Sequence, residues 1–325
     1  MDCTVRKVLL MVIQIRVSEH PSFASLYAFR YKRQLRCVKV KYIEHDGYRF
    51  CYFSRGKPGH RPSILMLHGF SFNKDMWLNA VKHFPRSIHI VCLDMPGHGE
   101  TTRLLAENYT AVDQAKKIHQ FVEWTGLNKK PFHLVGMSMG GMVAGIYAAQ
   151  YPSEICALSL LCPPGLQYST ENEFIRRLKE LRQSANAHDN PLVVLTVQQG
   201  EDLLRLGLYR PNKINMQLLK GYLEDRRPHK SFFLKSFVPI LNSPHDTGNF
   251  KFIFMLIQII HSSFVIQVMD PSGAETLAKG IPDSRVYILD KCGHFITLDR
   301  PRQSAKLLFK FYKSVCGTAK NKKVA

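Results

Sequence analysis

The sequence predicts an α/β fold in which a mostly parallel central sheet carries helices on both faces. Apolar runs with the length of strands alternate along the chain with longer stretches whose apolar residues recur at helical spacing. One run leads directly into Gly136-Met-Ser138-Met-Gly140, and a polar, helical segment follows the strand that ends near residue 161. Because parallel strands need a crossover between them, usually a helix, this order of elements favours a parallel sheet.

Apolar composition, length and flanking turn residues define the individual elements. The segments predicted as strands are 48–53, 63–68, 89–94, 132–135, 157–161 and 285–289. The segments predicted as helices are 110–126, 140–150 and 301–316, the last of which begins with a proline.

A chain of 325 residues is long enough for one large domain. We divide it into a basic leader at 1–41, a candidate membrane-associated segment, and a globular domain at 42–325. Within that domain, about 164–241 is predicted to be a helical lid insertion, with an amphipathic helix at 171–184.

Basic residues dominate the charge of the chain. Lys and Arg outnumber Asp and Glu by 45 to 25, which gives a formal net charge of +20. Such an excess favours contact with anionic surfaces, but no nucleic-acid motif is present, so nucleic acid is not a predicted partner. The basic leader is open to two interpretations, a membrane-surface patch or a solvated segment, and its apolar run at 8–15 is too short to span a bilayer.

The eight cysteines show no C-x-x-C pair and no regular spacing. Several fall in predicted strands, where cysteine behaves as a small apolar residue. We therefore predict reduced thiols, with neither a disulfide framework nor a bound metal.

Ser138 is the predicted nucleophile. A serine between two glycines, after a buried strand and before a helix, marks a turn too tight for side chains that lifts the hydroxyl out to where a base can reach it. The alternative is a glycine-rich turn whose serine only caps the helix.

Two backbone amides are predicted to stabilise an oxyanion. His68-Gly69-Phe70 ends a strand, and the turn after it can aim the Phe70 amide at the developing charge; the second donor would be the amide of Met139. The alternative for His68-Gly69 is a plain turn at the end of a strand.

His294 is the predicted base. It follows Gly293 in a loop after the last predicted strand, and a histidine late in the chain fits the order of residues around a serine turn of this type. Otherwise it would be one of 14 histidines with a surface or core position.

Several stretches together are similar to a known family. The chain resembles the α/β-hydrolase serine hydrolases, and within them the monoacylglycerol lipases, over most of 42–240 and 270–323. The matching stretches are 62–70, 74–77, 128–141, 162–170 and 292–294. The resemblance implies an α/β-hydrolase fold, hydrolysis of monoacylglycerols or related lipid esters through an acyl-serine intermediate, no cofactor, and attachment to intracellular membranes. It also implies that Ser138 is nucleophile, His294 base, and Phe70 and Met139 oxyanion donors.

The catalytic triad of this family consists of the serine, the histidine and an acid. The chain departs from the family at the acid. The position at which the family has an aspartate that orients the histidine is Ile266, which cannot do so. Asp270 is the tentative acid, but Asp270-Pro-Ser-Gly is also a good helix start. Asp246 and Asp299 are weaker alternatives. The apolar run 252–269 around Ile266 is open to three interpretations: a buried strand, a membrane-dipping segment, or a stretch that is not native sequence.

The sequence thus supports competing functions. The first is a lipid esterase acting on monoacylglycerols. The second is a catalytically impaired hydrolase fold that binds lipid or serves as a scaffold, and the third is a carboxylesterase for other lipid esters. A carboxylate within reach of the His294 ring distinguishes the enzyme from the binding protein.

Overall fold

A computed structural model describes residues 29–164, 176, 180, 190, 192–211, 216–241, 256–262, 272–281 and 284–321. Within these residues a single sheet of eight strands forms the centre of the molecule. The strands are β1 (Lys39–His45), β2 (Tyr48–Arg55), β3 (Ile64–Leu67), β4 (Ile90–Leu93), β5 (Phe132–Met137), β6 (Ile155–Leu161), β7 (Leu256–Ser262) and β8 (Arg285–Leu289).

The sheet is mostly parallel, as predicted. Its spatial order is β1-β2-β4-β3-β5-β6-β7-β8. Strand β2 is antiparallel to both β1 and β4, whereas every other neighbouring pair is parallel. The carboxyl ends of β3, β5 and β8 therefore open onto the same edge of the sheet, and the loops that follow them can meet there.

Helices cover both faces of this sheet. The described helices are α1 (29–35), α2 (Leu78–Val81), α3 (Ala111–Thr125), α4 (Met139–Gln150), α5 (Val197–Gly207), α6 (Met216–Arg226), α7 (Lys230–Leu241), α8 (Ser272–Gly280), α9 (Ile296–Asp299) and α10 (Pro301–Asn321). The α/β-hydrolase fold class is confirmed by this arrangement.

Alternate residues of the central strands face opposite cores. In β3, Leu65 and Leu67 pack with α3 and α4, whereas Ile64 and Met66 pack with α2 and α10. All four side chains are almost fully buried. This explains why the strand is apolar throughout instead of alternating with polar residues.

Helix α3 shows how local signals set the bounds of an element. The side chain of Thr110 accepts a hydrogen bond from the Asp113 amide at 3.1 Å, which caps the amino terminus. Gly126 ends the helix in the left-handed region, with φ of 63°. The predicted helix at 110–126 is therefore confirmed at both ends.

The segment between β6 and β7 contains three helices, α5, α6 and α7, among its described residues, with short non-helical stretches at 192–196 and 208–210. The predicted helix at 171–184 lies outside the described residues except for Arg176 and Glu180, which are both helical. At the other end of the chain, residues 1–28 of the predicted leader also lie outside, and β1 starts at Lys39.

Strand β7 lies in the apolar run at 252–269. It pairs with β6 on one side and β8 on the other, and Ile257, Ile259 and Ile260 are fully buried. The strand interpretation is thus confirmed for 256–262, while the rest of the run lies outside the described residues. Among the helices that the structure describes, none has the length and apolar character to cross a bilayer.

A buried ion pair ties the loop after β3 to the loop after β4. The Lys74 ammonium lies 2.7 Å from one Asp94 carboxylate oxygen, and the Lys74 amide donates to the other oxygen at 2.7 Å. Both side chains are almost fully buried, at 1% and 0% exposure. The nearby charge of Asp94 raises the pKa of Lys74 despite burial, so the ammonium stays charged.

We expect Lys74→Met to lower the free energy of unfolding by about 3–5 kcal/mol, because it leaves the Asp94 carboxylate buried without its counter-charge. Lys117→Met is the matched control, since the Lys117–Glu107 pair is partly exposed and should contribute about 1 kcal/mol. Denaturant unfolding of both variants measures the difference. Equal losses would show that burial of the Lys74–Asp94 pair is unimportant.

Candidate active site

Ser138 stands at the turn between β5 and α4 in a backbone conformation that side chains rarely adopt, with φ of 53° and ψ of −126°. The flanking glycines allow this. A Cβ added to Gly136 would lie 2.1 Å from the Gly140 carbonyl oxygen, and one added to Gly140 would lie 2.5 Å from the His68 carbonyl oxygen. The turn therefore forms only where both residues lack side chains, as the sequence motif indicated.

His294 approaches Ser138 from the loop after β8. Its Nε2 lies 3.0 Å from the Ser138 Oγ, although the two residues are 156 positions apart in the chain. The ring is 7% exposed. The structure thus brings together, at hydrogen-bonding distance, the two side chains that the sequence singled out as nucleophile and base.

The two predicted oxyanion donors lie beside the serine. Phe70 and Met139 line the same cavity as Ser138 and His294. Met139 is the first residue of α4, where backbone N–H groups have no partner within the helix and the helix dipole favours negative charge. Gly69 is so close that a Cβ there would lie 3.7 Å from the Ser138 Oγ.

His68 fixes the end of β3. Its Nδ1 lies 2.8 Å from the Gly69 carbonyl oxygen and its Nε2 accepts a hydrogen bond from the Met95 amide at 2.9 Å. Since one nitrogen donates and the other accepts, the ring is neutral, and burial lowers the pKa of His68 to about 4. The role of this side chain is to hold the loop that contains Phe70.

The far nitrogen of the His294 ring has no described partner. Nδ1 is buried and accepts or donates no hydrogen bond within the described part of the chain. Asp299, one of the candidate acids, makes other hydrogen bonds. Its Oδ2 accepts hydrogen bonds from the amides of Gly293 and Tyr209, both at 2.8 Å. The other candidate positions, Asp270, Asp246 and Ile266, lie outside the described residues.

The surroundings of His294 favour the neutral ring. Burial, with a further contribution from the nearby His261, lowers the pKa of His294 to about 4. A neutral imidazole can accept the serine proton, whereas an imidazolium cannot. The predicted base is therefore neutral, and able to accept a proton, at neutral pH.

The helices between β6 and β7 hold the loop after β3, a feature that the sequence did not reveal. Tyr222 of α6 donates its hydroxyl to the Ser71 carbonyl oxygen at 2.7 Å, and Arg226 donates to the same oxygen. The Arg226 guanidinium is buried and lies 3.9 Å from the centre of the Phe233 ring. Ser71 follows Phe70 and has φ of 65°, so these contacts stabilise a strained position next to the predicted oxyanion donor.

Helix α5 holds the histidine loop in a similar way. The Phe295 amide donates to the Gly207 carbonyl oxygen at 3.1 Å, directly after His294. A Cβ on Gly293 would lie 2.3 Å from that same oxygen, so the two backbones are in close contact. Both loops that carry predicted catalytic groups are thus anchored by the helical segment.

The cavity at Ser138 has a volume of about 90 Å³. Apart from Ser138 and His294, its described lining consists of glycine, proline and apolar side chains. The apolar side chains are those of Phe70, Phe72, Met76, Met137, Met139, Leu192, Leu203, Leu206, Phe237, Ile240 and Phe295. Such a lining suits an acyl chain and excludes water from the reacting atoms.

One group of potential metal ligands occurs among the described residues, formed by Cys51, Asp94 and Glu100. The Lys74 ammonium already lies 2.7 Å from Asp94 and 3.1 Å from Glu100, so the carboxylates have a cation in place. Burial raises the pKa of the Cys51 thiol to about 12, which disfavours the thiolate that a metal would need.

Comparison with known proteins agrees with this geometry. A family model for the α/β-hydrolase fold matches residues 62–301, which is more than half of the chain. The chain belongs to the α/β-hydrolase family. Two of the family's members most similar to it are proteins named monoacylglycerol lipase ABHD6, from Rattus norvegicus and Homo sapiens. Each is 48% identical over 94% of this chain and 91% of its own length. The resemblance stated from the sequence is therefore confirmed.

A solved structure of the family has the same fold. A bacterial protein described as a membrane phospholipase A superposes with a TM-score of 0.80, covering 96% of this chain and 98% of its own. Its sequence is 24% identical, so the likeness concerns the fold alone.

The pKa of His294 gives a prediction about pH. Burial alone lowers that pKa to about 4, and a carboxylate at the far ring nitrogen would raise it. With Asp270 as that carboxylate, kcat/KM for a soluble p-nitrophenyl ester should fall on acidification at a higher pH in the wild-type protein than in Asp270→Asn, because activity is lost as His294 becomes protonated. Circular dichroism at each pH would verify that the fold is intact. The same midpoint of activity loss in both proteins would show that Asp270 does not contact the ring.

The contact between Arg226 and Ser71 predicts an effect on turnover. Arg226→Met should lower kcat about tenfold or more with little change in KM, because a shifted Phe70 amide stabilises the transition state less well. The exposed neighbour Arg227 offers the control, Arg227→Met, which should keep full activity. An unchanged kcat in the Arg226 variant would contradict the role of this contact.

Proposed function

We propose that this protein is an acylglycerol lipase that hydrolyses monoacylglycerols through an acyl-serine intermediate. The observation that carries the proposal is the Ser138–His294 hydrogen bond of 3.0 Å within an apolar cavity. The relatives named monoacylglycerol lipase, 48% identical over almost the whole chain, support the choice of substrate.

The proposed reaction has two halves. In the first, the Ser138 Oγ attacks the ester carbonyl while His294 Nε2 accepts its proton, and the Phe70 and Met139 amides stabilise the oxyanion. His294 then gives the proton to the departing glycerol oxygen, which leaves the acyl group on Ser138. In the second half, His294 takes a proton from water as the water oxygen attacks the acyl-serine, and it then returns that proton to the Ser138 Oγ as the fatty acid leaves.

The lining of the cavity supports an uncharged lipid ester. Its described residues contain no lysine or arginine that could balance the negative charge of a phosphate group. A buried charge without a partner is costly, whereas a glycerol head group carries none. This favours a monoacylglycerol over a phospholipid among the lipid esters.

Asp270 is proposed as the third member of the triad. It follows β7 in the chain, and a carboxylate from that side of the sheet would hold the His294 ring through Nδ1, the buried nitrogen without a described partner. Such a contact would orient the ring and stabilise the imidazolium that forms during catalysis.

One observation favours a second candidate function, a catalytically impaired hydrolase that binds lipid or acts as a scaffold. This is the His294 Nδ1, which has no hydrogen-bond partner among the described residues, together with isoleucine at the position where an acid is expected. Loss of the acid in a serine triad lowers turnover by about four orders of magnitude. Activity on carboxylic esters other than monoacylglycerols would keep the same chemistry with another leaving group.

We propose further that the protein acts at the surface of an intracellular membrane. The net charge of +20 and the basic segment at 1–41 support attraction to anionic lipid head groups. The helical segment at about 164–241 would act as the lid through which lipid enters.

The decisive experiment is monoacylglycerol hydrolysis by the purified full chain. We expect Ser138→Ala to abolish turnover and Asp270→Asn to lower it by about three to four orders of magnitude. Asp290→Asn, which changes an exposed carboxylate near the histidine loop, should leave turnover intact.

The controls also decide between the two functions. Wild-type turnover no greater than that of Ser138→Ala would overturn the lipase and favour the binding protein. Full activity of Asp270→Asn, with Ser138→Ala inactive, would remove Asp270 from the triad while keeping the enzyme.

A further inference from the structure

A second, larger cavity lies beside the catalytic one. Its volume is about 740 Å³, against about 90 Å³ for the cavity at Ser138. The two share Phe72 and Leu203 in their walls, so they adjoin each other. We call the larger one the side groove. It is of the size that commonly holds a small-molecule ligand.

Apolar side chains of α5 and α6 form most of the side groove. Leu203, Leu204 and Leu219 lie along it, and Leu203 and Leu219 are buried. The two helices meet closely, since a Cβ on Gly200 would lie 2.6 Å from the Leu219 side chain. This end of the groove suits an alkyl chain.

Three cationic residues belong to backbone segments that meet at one place in the wall of the groove, which we call the rim. The Asp299 Oδ2 accepts the amides of Tyr209 and Gly293 at 2.8 Å each, so three backbone segments meet at this carboxylate. Arg210 and Arg300 follow directly after Tyr209 and Asp299, and Lys291 lies two residues before Gly293. All three cations line the groove.

The charges at this place do not balance. Asp299 is the single acidic residue in the described lining, and its carboxylate already accepts two backbone hydrogen bonds. The buried Nε of Arg300 has no hydrogen-bond partner among the described residues. Three cations against one carboxylate leave the rim positive and able to bind an anion.

The backbone of Lys291 is a second, independent sign of a constraint at the rim. Its φ is 50°, in the left-handed region that a lysine seldom adopts. Such positions cluster where the structure serves a ligand or a catalytic group. Here the strained turn places a cation in the wall of the groove.

We infer that the side groove is a binding site for a free fatty acid, with its carboxylate at Arg210, Lys291 and Arg300 and its chain along α5 and α6. The choice of a fatty acid rests on the proposed function, because hydrolysis at Ser138 would release one in the adjoining cavity. A ligand held there would contact the helices that anchor both catalytic loops.

The test uses the full-length Ser138→Ala protein, which cannot turn over substrate, and submicellar oleate in isothermal titration calorimetry. We expect saturable binding that the double variant Arg210→Gln/Lys291→Gln weakens about tenfold or more. Oleyl alcohol, which has the same chain without the charge, should bind more weakly and respond little to that variant. Arg205→Gln, an exposed cation of α5 outside the described lining of the groove, is the matched control and should bind oleate normally.

Several results would overturn the assignment. Equal oleate binding by the double variant and the control would remove the cationic rim from the site. Loss of oleate binding when Ser138 of the wild-type protein carries an alkylphosphonate would place the ligand in the catalytic cavity. Tighter binding of an oleoyl lysophospholipid than of oleate would exclude a fatty acid as the intended ligand. None of these results depends on whether monoacylglycerol is hydrolysed, so a failure here is separate from a failure of the lipase proposal.

Discussion

The turn at Ser138 is the constraint on which the rest of the site depends. Strand β5 and helix α4 can join this sharply only because Gly136 and Gly140 leave room for each other's backbone. The turn holds Ser138 at a strained φ of 53° at the carboxyl edge of the sheet. It also sets the amide of Met139 at the positive end of α4. Burial of the central strands on both faces provides the stability that such a strained position needs.

The helical segment between β6 and β7 does more than cover this turn. Through Arg226 and Tyr222 it holds the loop that carries Phe70, and through Gly207 it holds the loop that carries His294. Any motion of α5 or α6 that opens the cavity must therefore loosen the same loops. The contacts thus join the walls of the cavity to the placement of the predicted catalytic groups, in the way that closing segments complete active sites in other enzymes.

Local signals in the sequence were sufficient for much of the fold. Each of these signals acts over a few residues, so the sequence alone predicts its effect on the structure. They are the caps at Thr110 and Gly126, the apolar runs of the central strands and the glycines around Ser138. The contact between Arg226 and Ser71 joins residues 155 positions apart, and no pattern of spacing reveals it. The side groove is equally hidden, because its cations come from separate segments that meet only at Asp299. The sequence did not identify the acid of the catalytic triad for a different reason. The chain has isoleucine where the family pattern has a carboxylate.

We propose that Ser138 attacks an ester whose oxyanion lies between the Phe70 and Met139 amides. A crystal structure of the protein after reaction with a long-chain alkylphosphonate tests it most directly, because the phosphonate mimics the tetrahedral intermediate. We expect phosphorus bonded to the Ser138 Oγ, with one oxygen about 2.7–3.1 Å from both amides and the alkyl chain in the apolar cavity. An unmodified Ser138, or an adduct whose oxygen points away from the two amides, would contradict it.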